Sequence, residues 1–358
     1  MDHTNPNNIL DDDFRQIAVA IGDRVDRLEG SRLLLTGASG LLAGYMARSL
    51  LWLNQEVLKS PCQLVALVRR PVRPESLLGQ VGERPDLQIL IQDVTEPINI
   101  GGPLDFIIHA ASQASPRDYL QDPLGTIDAN VSATRSLLEL ARLKKAQGFL
   151  FFSSGEIYGD VPGKDQPIQE IYKGADSPIG PRACYTESKR MGETLAVTYH
   201  REFGVPANVV RPFQVYGPGL DLNDGRVIPD FLRSRLFGDP IHLLSDGSAV
   251  RTFCYASDGV AGFWAALLAD EYGLSVNIGD DKEAVSVLEL AEIVASLEQP
   301  RLDVVREVLE QPEYLRGNPS MASPDLSVAR EVFEYEPRTS LSDGLLRTLQ
   351  WLRDQNGD

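Results

Sequence analysis

Cysteine is scarce in this chain: Cys62, Cys184 and Cys254 lie far apart, and no CxxC pair occurs. An odd count without a framework excludes a disulfide-stapled scaffold and fits reduced thiols. Histidine is nearly as sparse, and His3, His109, His200 and His242 show no metal-ligand spacing, so no metal site is expected. Long hydrophobic runs are missing as well. The longest, Gly259 to Ala269, falls short of the ~20 residues that span a bilayer. The first residues, with Asp2, Asn5 and the Asp11-Asp12-Asp13 run, lack the basic-then-apolar layout of a secretory signal. Basic charge is also in deficit, 34 Lys and Arg against 51 Asp and Glu, a net charge of −17. Such a balance repels phosphate backbones and anionic lipid. A cytoplasmic protein with no nucleic-acid or membrane partner is expected.

What is present is an ordinary folding composition: 358 residues, 43% apolar and 24% charged, enough for two domains or one large interleaved one. Apolar residues at Phe14, Ile17, Ala18, Ile21, Val25 and Leu28 predict an amphipathic helix, opened by Asp11 to Asp13 and closed by Gly30. Residues 1–30 read as an arm that packs on the main body or on a partner subunit. Short apolar runs then alternate with helical patterns. Strands are predicted at Arg32 to Thr36, Gln63 to Arg69, Leu87 to Gln92, Leu104 to Ala110, Gly148 to Ser153 and Val205 to Arg211. Helices are predicted at Leu41 to Leu53, Thr126 to Lys144 and Tyr185 to Phe203. Continuous apolar strands alternating with helices imply a doubly wound parallel Rossmann sheet over residues 31–210. Residues 211–358, rich in Pro and Gly, predict a smaller substrate-binding lobe interleaved with it, with helices near Val287 to Leu297 and Leu341 to Arg353.

Two segments carry chemistry. Between the first strand and helix, Gly37-Ala38-Ser39-Gly40-Leu41 supplies the turn and the close backbone approach that a pyrophosphate needs at a helix N-terminus. The acid that usually ends the second strand and binds the adenosine ribose is replaced by Arg69-Arg70, so NADP⁺ stands beside NAD⁺ as a candidate cofactor. Further on, Tyr185 and Lys189 are i and i+4 on one helix and share a face. A phenol with pKa of about 10 is a poor base. Lowering it by ~3 units takes about 4 kcal/mol, which one ammonium within ~4 Å can supply at an effective dielectric near 20. Ser154 at a strand end can share the proton of a substrate hydroxyl.

With these residues the chain resembles the extended short-chain dehydrogenases/reductases, and among them the UDP-glucuronate decarboxylases. The resemblance runs from about residue 31 onward. It is carried by TGASGLLAG (Thr36 to Gly44), HAASQASP (His109 to Pro116), SPIGPRACYTESKRMGETL (Ser177 to Leu195), VYGPGLDLNDGRVIPDFL (Val215 to Leu232) and AVRTFCYASD around Arg251. It implies that Ser154, Tyr185 and Lys189 serve hydride transfer, that Glu156 is the acid/base near sugar C5, and that Arg251 faces the carboxylate end. By the same resemblance Gly37, Ser39, Gly40, Leu41, Arg69, Asp93, Val94, Ala110, Ala111, Tyr185 and Lys189 hold the cofactor. Ser112, Gln214, Arg226, Val227 and Arg251 hold the nucleotide sugar. A homodimer through the helices Thr126 to Lys144 and Tyr185 to Phe203 is implied too. Three positions depart from the family pattern: Gly155 where it has Ser or Asp, Gln214 for Asn, and Leu244 for an aromatic.

The implied chemistry is redox-neutral. Oxidation at C4 turns the hexuronate into a β-keto acid, CO₂ leaves, C5 is reprotonated, and the hydride returns to C4. The expected product is UDP-xylose or the UDP-4-keto-pentose, and Gly155→Ser is expected to favour the reduced sugar. A 4,6-dehydratase or epimerase of the same superfamily is one alternative, and a non-catalytic dinucleotide-binding subunit is another. His109 reads as a packing residue, Cys184 as buried, Glu187 as lying on a solvated face, and Tyr158-Gly159 and Tyr216-Gly217 as turn formers.

Overall fold

The computed structural model describes residues 6–174, 177–307 and 319–356; His3, Asp2 and Asn5 lie outside them. Six parallel strands come first: β1 (Arg32–Thr36), β2 (Gln63–Val68), β3 (Leu87–Ile91), β4 (Phe106–His109), β5 (Gly148–Phe152) and β6 (Ala207–Pro212). All but β3, at the sheet edge, are almost wholly buried, because helices cover both faces and every side chain needs an apolar neighbour. The helices are α1 (Pro6–Ile21), α2 (Leu41–Glu56), α3 (Pro116–Gln121), α4 (Pro123–Ile127), α5 (Ala133–Lys144) and α6 (Ala183–Phe203). Ser115 and Asp122 cap α3 and α4 by accepting from Asp118 N and Gly125 N. The helix expected at Thr126 to Lys144 is therefore three pieces, α4 and α5 joined by a π turn, Asp128–Ser132. The turn holds Asn130 buried, where its amide donates to Ser188 Oγ on α6 at 2.9 Å.

Past Arg211 the chain leaves the sheet and comes back. β7 (Val215–Tyr216), α7 (Val227–Phe237), β8 (Ile241–Leu243), β9 (Val250–Thr252) and β10 (Cys254–Tyr255) precede α8 (Ala256–Leu267). All of α8 is buried, between the sheet and α1. Then β11 (Ser275–Ile278) pairs in parallel with β6 as the seventh strand, giving the order β11-β6-β5-β4-β1-β2-β3. The sequence pattern predicts only six. Further helices are α9 (Val287–Ser296), α10 (Ser327–Phe333) and α11 (Leu341–Asn356). Strand order reverses between β1 and β4, where the crevice at the carboxyl ends of the strands takes ligands in doubly wound sheets.

The arm is longer than its apolar stripe suggests. Asp11 to Asp13 sit inside α1, not at its cap, and Gly22–Leu28 continues as a 3₁₀ turn. Leu10, Phe14, Ile17 and Ile21 are buried against α8, α2 and α11. Asp13 faces inward too. Its carboxylate accepts from Tyr45 of α2, from Tyr255 at 2.8 Å and from Arg347 of α11 at 2.6 Å. Burial pushes its carboxyl up to about 6, against the pull of Arg347. Among the described residues no helix is long and apolar enough to cross a membrane, and no cluster of metal-ligating side chains occurs.

Candidate active site

A cleft of about 1350 Å³ opens at the strand switch point between the sheet and the β8–β9 region. Single small-molecule pockets run to roughly 1000 Å³, so this one has room for two ligands end to end. At its inner end, Gly37 takes φ +73°, and a Cβ there would lie 2.8 Å from the Ala111 backbone. Only glycine fits. Gly40 then leads into α2, whose first N–H groups have no helical partner and face the cleft. His109 locks the strands beneath this loop. Its Nε2 meets the Ala129 carbonyl at 3.0 Å, so Nδ1 accepts from Thr36 Oγ1 at 2.8 Å, and Thr36 Oγ1 in turn accepts from Ala111 N. Burial, then the nearby Lys189, pull His109 down to about 3, which leaves it a neutral structural residue.

Ser39, Leu41, Arg69, Asp93, Val94, Ala110 and Ala111 line this same half of the cleft. Asp93 Oδ1 is engaged by Thr95, through its amide at 2.9 Å and its hydroxyl at 2.7 Å. Those bonds, with Arg69 as a weaker contributor, hold the Asp93 carboxyl below its ordinary range; Asp122 is likewise lowered, chiefly by Gln113 and Gly125. Arg70 is exposed and does not line the cleft.

Ser154, two residues past the end of β5, is extended and caps the 3₁₀ turn Gly155–Tyr158, its Oγ accepting from Glu156 N at 3.1 Å. Tyr185 and Lys189 lie one turn apart on α6 and both reach the cleft. The Tyr185 ring stacks on Tyr119 at 5.1 Å and 14°. Lys189 Nζ donates to the Phe152 carbonyl at 2.7 Å and lies 5.8 Å from the Tyr185 ring centroid. Burial draws Lys189 down to about 7, opposed by the Glu193 carboxylate one turn on. The expected depression of the tyrosine is absent here. Burial first, then the Glu156 carboxylate, push the Tyr185 phenol above its usual range, while Ser154, Arg226 and Arg182 pull the other way. One nearby ammonium does not offset the cost of burying the phenolate.

Glu156 has a partner that sequence reasoning missed. Arg182, at the N-terminus of α6, donates from Nη2 to Glu156 Oε2 at 2.6 Å. Arg251 approaches the same carboxylate from β9 and donates to the Val250 and Pro319 carbonyls at 2.7 and 2.5 Å. Nothing local in the sequence signals the pairing, since Arg182 lies 26 residues from Glu156. Phe213 carries no local signal either. A Cβ at Gly155 would stand 3.0 Å from its ring, so a serine there has to displace Phe213 before it can reach a ligand.

The outer half of the cleft carries Ser112, Gln214, Arg226, Val227 and Leu244. Ser112 Oγ is buried without a hydrogen-bond partner among the described residues. Gln214 adopts φ +40°, a region that Asn enters more readily. Arg226 pairs with Asp224, Nε to Oδ2 at 2.7 Å. Cys184 is only half-buried, its Sγ 3.7 Å from the Tyr119 carbonyl, and Glu187 is half-buried in an ion pair with Arg190. Gly159 and Gly217 turn the chain with φ of +67° and +156°, but their tyrosines do more. Tyr158 donates to Asn277 at 2.7 Å and accepts from the buried Arg211, which grips Glu193. Tyr216 donates to the Leu341 carbonyl at 3.1 Å.

A seven-stranded doubly wound sheet with a glycine cradle and a Ser/Tyr/Lys set defines a Rossmann-type protein of the short-chain dehydrogenase/reductase class. The chain belongs to the NAD dependent epimerase/dehydratase family, whose model matches residues 33–279. It is 34% identical over 314 residues to UDP-glucuronic acid decarboxylase 6 of Arabidopsis thaliana, covering 88% of this chain and 86% of that one. It is 32% identical over 322 residues to UDP-glucuronic acid decarboxylase 1 of Danio rerio, covering 89% and 72%. Its fold matches UDP-glucuronic acid 4-epimerase from Bacillus cereus, solved with UDP-glucuronic acid and NAD, at TM-score 0.74 and 23% identity, over 90% of this chain and 99% of that one.

Proposed function

We propose that this protein decarboxylates a nucleotide hexuronate, UDP-glucuronate first among them, through a 4-keto intermediate to a UDP-pentose. One observation carries the reading. Beside Ser154 and Tyr185, the Glu156 carboxylate sits with two buried guanidiniums, Arg182 and Arg251, which give this wall of the cleft a concentration of positive charge. A neutral hexose has no use for that charge, whereas a C5 carboxylate balances it. The decarboxylase relatives support the same substrate class.

In this reading Tyr185 accepts the C4 hydroxyl proton once the positive nicotinamide ring of bound NAD⁺ adds to Lys189 in offsetting the burial that otherwise raises its phenol, and Ser154 holds the C4 oxygen. Glu156 handles the proton at C5, and Arg251 orients the carboxylate end. The residues of the inner cleft fit NAD⁺: the Gly37 cradle, Ser39, Gly40 and Leu41 take the pyrophosphate, Asp93 and Val94 the adenine, Ala110 and Ala111 the ring linkage. When bound, the nicotinamide supplies a hydride acceptor for C4 and a donor for its later return. Ser112, Gln214, Arg226 and Val227 hold the nucleotide sugar, and the orphaned Ser112 hydroxyl gains a partner thereby.

The test is to incubate the protein with UDP-glucuronate and follow CO₂, nucleotide sugars and nicotinamide absorbance together. CO₂ release without net NADH is the expected result, and NMR then reports whether UDP-xylose or the 4-keto pentose accumulates. No CO₂ from any nucleotide hexuronate refutes the reading in favour of a 4,6-dehydratase or epimerase. Cofactor choice is checked by NAD⁺ and NADP⁺ affinities before and after Arg69→Ala. NAD⁺ is expected to bind more tightly, because Asp93 and Asp122 beside Arg69 disfavour a 2′-phosphate. A preference for NADP⁺ that Arg69→Ala abolishes would reverse the assignment.

The protein is proposed to work in the cytoplasm as a homodimer. Leu124, Ile127, Leu143, Met191 and Phe203 leave apolar surface exposed on α4, α5 and α6. A solution mass of one chain would refute the dimer.

A further inference from the structure

Lys189 is a cation with little around it to keep it charged. It is 3% exposed, and its Nζ donates to the Phe152 carbonyl at 2.7 Å and lies 5.2 Å from the Phe151 ring centroid. Besides that carbonyl and ring on β5, it faces His109 of β4, which is neutral, and the Tyr185 ring and Glu193 on its own helix. Among the described residues, Glu193 is the one carboxylate that acts on it. Glu193 lies at i+4, one turn along α6, and shares the buried face of the helix without lining the cleft.

The Glu193 carboxylate is held in place. Arg211 of β6 donates from Nε to Oε1 at 2.9 Å and from Nη2 to Oε2 at 2.6 Å. Arg211 is fixed in turn by the Tyr158 hydroxyl at 2.6 Å and the Glu170 carbonyl at 3.0 Å, and Tyr158 by Asn277 of β11 at 2.7 Å. With both oxygens accepting from one fork, Glu193 stands as a stationary anion beside a lysine that needs one.

We propose that Glu193 is a positioning residue that decides where the last proton of the Tyr185–Lys189 pair sits, holding it on Lys189 so that Tyr185 is the phenolate. The inference rests on the role given to Tyr185 in the proposed function. A pair with one proton has two forms. In one, Lys189 is an ammonium and Tyr185 a phenolate, which accepts the C4 hydroxyl proton. In the other, the proton is on the phenol, Lys189 is a neutral amine, and neither can act. Both forms hold the same number of protons, so pH does not choose between them. Burial favours the idle form, because it raises the Tyr185 phenol and draws Lys189 down to about 7. At the tyrosine end, Glu156 also opposes the phenolate, Ser154, Arg226 and Arg182 assist it, and Tyr119 stacks on the ring. At the lysine end, Glu193 is the counterweight.

Two measurements test this. The first is single-turnover reduction of bound NAD⁺ by UDP-glucuronate, followed from about pH 5 to 9. Wild type and Glu193→Gln should coincide at the acid end, where Lys189 is charged in both. The variant should then level off about one to two pH units earlier, at a rate about tenfold to a hundredfold lower, because its proton settles on the phenol. The second needs neither cofactor nor substrate. Protein made with ¹³C-labelled lysine is titrated by NMR, the Lys189 signal being the one lost in Lys189→Arg. That signal should titrate at lower pH in Glu193→Gln than in wild type. A fall in rate by one factor at every pH, the mark of a purely structural role, overturns the inference, and so does an unchanged Lys189 titration. If Glu193→Gln does not fold, Glu193→Asp decides. It draws the charge back by one methylene and should shift both readouts in the same direction by less, and no shift overturns the inference. Wild-type protein that reduces no NAD⁺ sinks the reading of Tyr185, whereas a Lys189 signal that ignores Glu193 sinks only this inference.

Discussion

Tyr185→Phe is expected to reduce turnover by at least ~10²- to 10⁴-fold, the range for a positioned acid or base, while the protein still folds and takes up NAD⁺. The Tyr185 ring is 4% exposed and stacked on Tyr119, and phenylalanine fills the same space. The fold therefore loses one oxygen and no packing. What disappears is the acceptor for the C4 hydroxyl proton and its hydrogen bond with Ser154. A single-turnover trace of nicotinamide absorbance reads the step. Wild type should show a transient rise and the variant none. A variant that still shows the rise would take Tyr185 out of the first proton transfer.

Glu156→Gln has the second largest expected effect, a ~10²- to 10⁴-fold fall in kcat. Glutamine keeps the shape and can still accept from Arg182, but it carries no charge and exchanges no proton at neutral pH. The first oxidation at C4 should survive, because Ser154, Tyr185 and Lys189 are untouched. Reduced nicotinamide should then accumulate while C5 waits for its proton. Running the reaction in deuterated water and scoring label at C5 by NMR separates the steps. Full activity with normal labelling would remove Glu156 from the chemistry at C5.

Much of the sheet is legible in the amino-acid pattern alone. The centre of β1, Leu33 to Leu35, and GFLFF of β5 are continuous apolar runs, which a strand covered on both faces needs. β11 is not, because four residues, SVNI, carry little pattern and owe their place to pairing with β6, far earlier in the chain. The cofactor loop and the Tyr185/Lys189 turn are legible because each is local, a fixed spacing inside one element. Every predicted site residue reaches the cleft, from Gly37 at one end to Arg251 at the other. Arg182, Tyr119 and Phe213 are not legible, since their partners meet them only through tertiary packing. The direction of the Tyr185 shift fails for a related reason: proximity of charges follows from spacing, but burial does not.

The lock at Asp13 sets the order in which the molecule can be finished. Arg347, its cationic partner, is made 334 residues later. At ~10 residues per second that is roughly half a minute of translation. For that interval the arm has no cation to hold Asp13, and Leu10, Phe14 and Ile17 have no α11 to lie against. The packing of α1 is thus finished only when α11 arrives: in a chain interrupted before residue 347, α2 and α8 cover part of the arm, but Asp13 lacks its cation and the side that faces α11 stays bare. Exposed apolar surface of this kind is what chaperones and proteases read, so the Asp13–Arg347 pair closes only in a chain whose synthesis has passed both halves of the cleft.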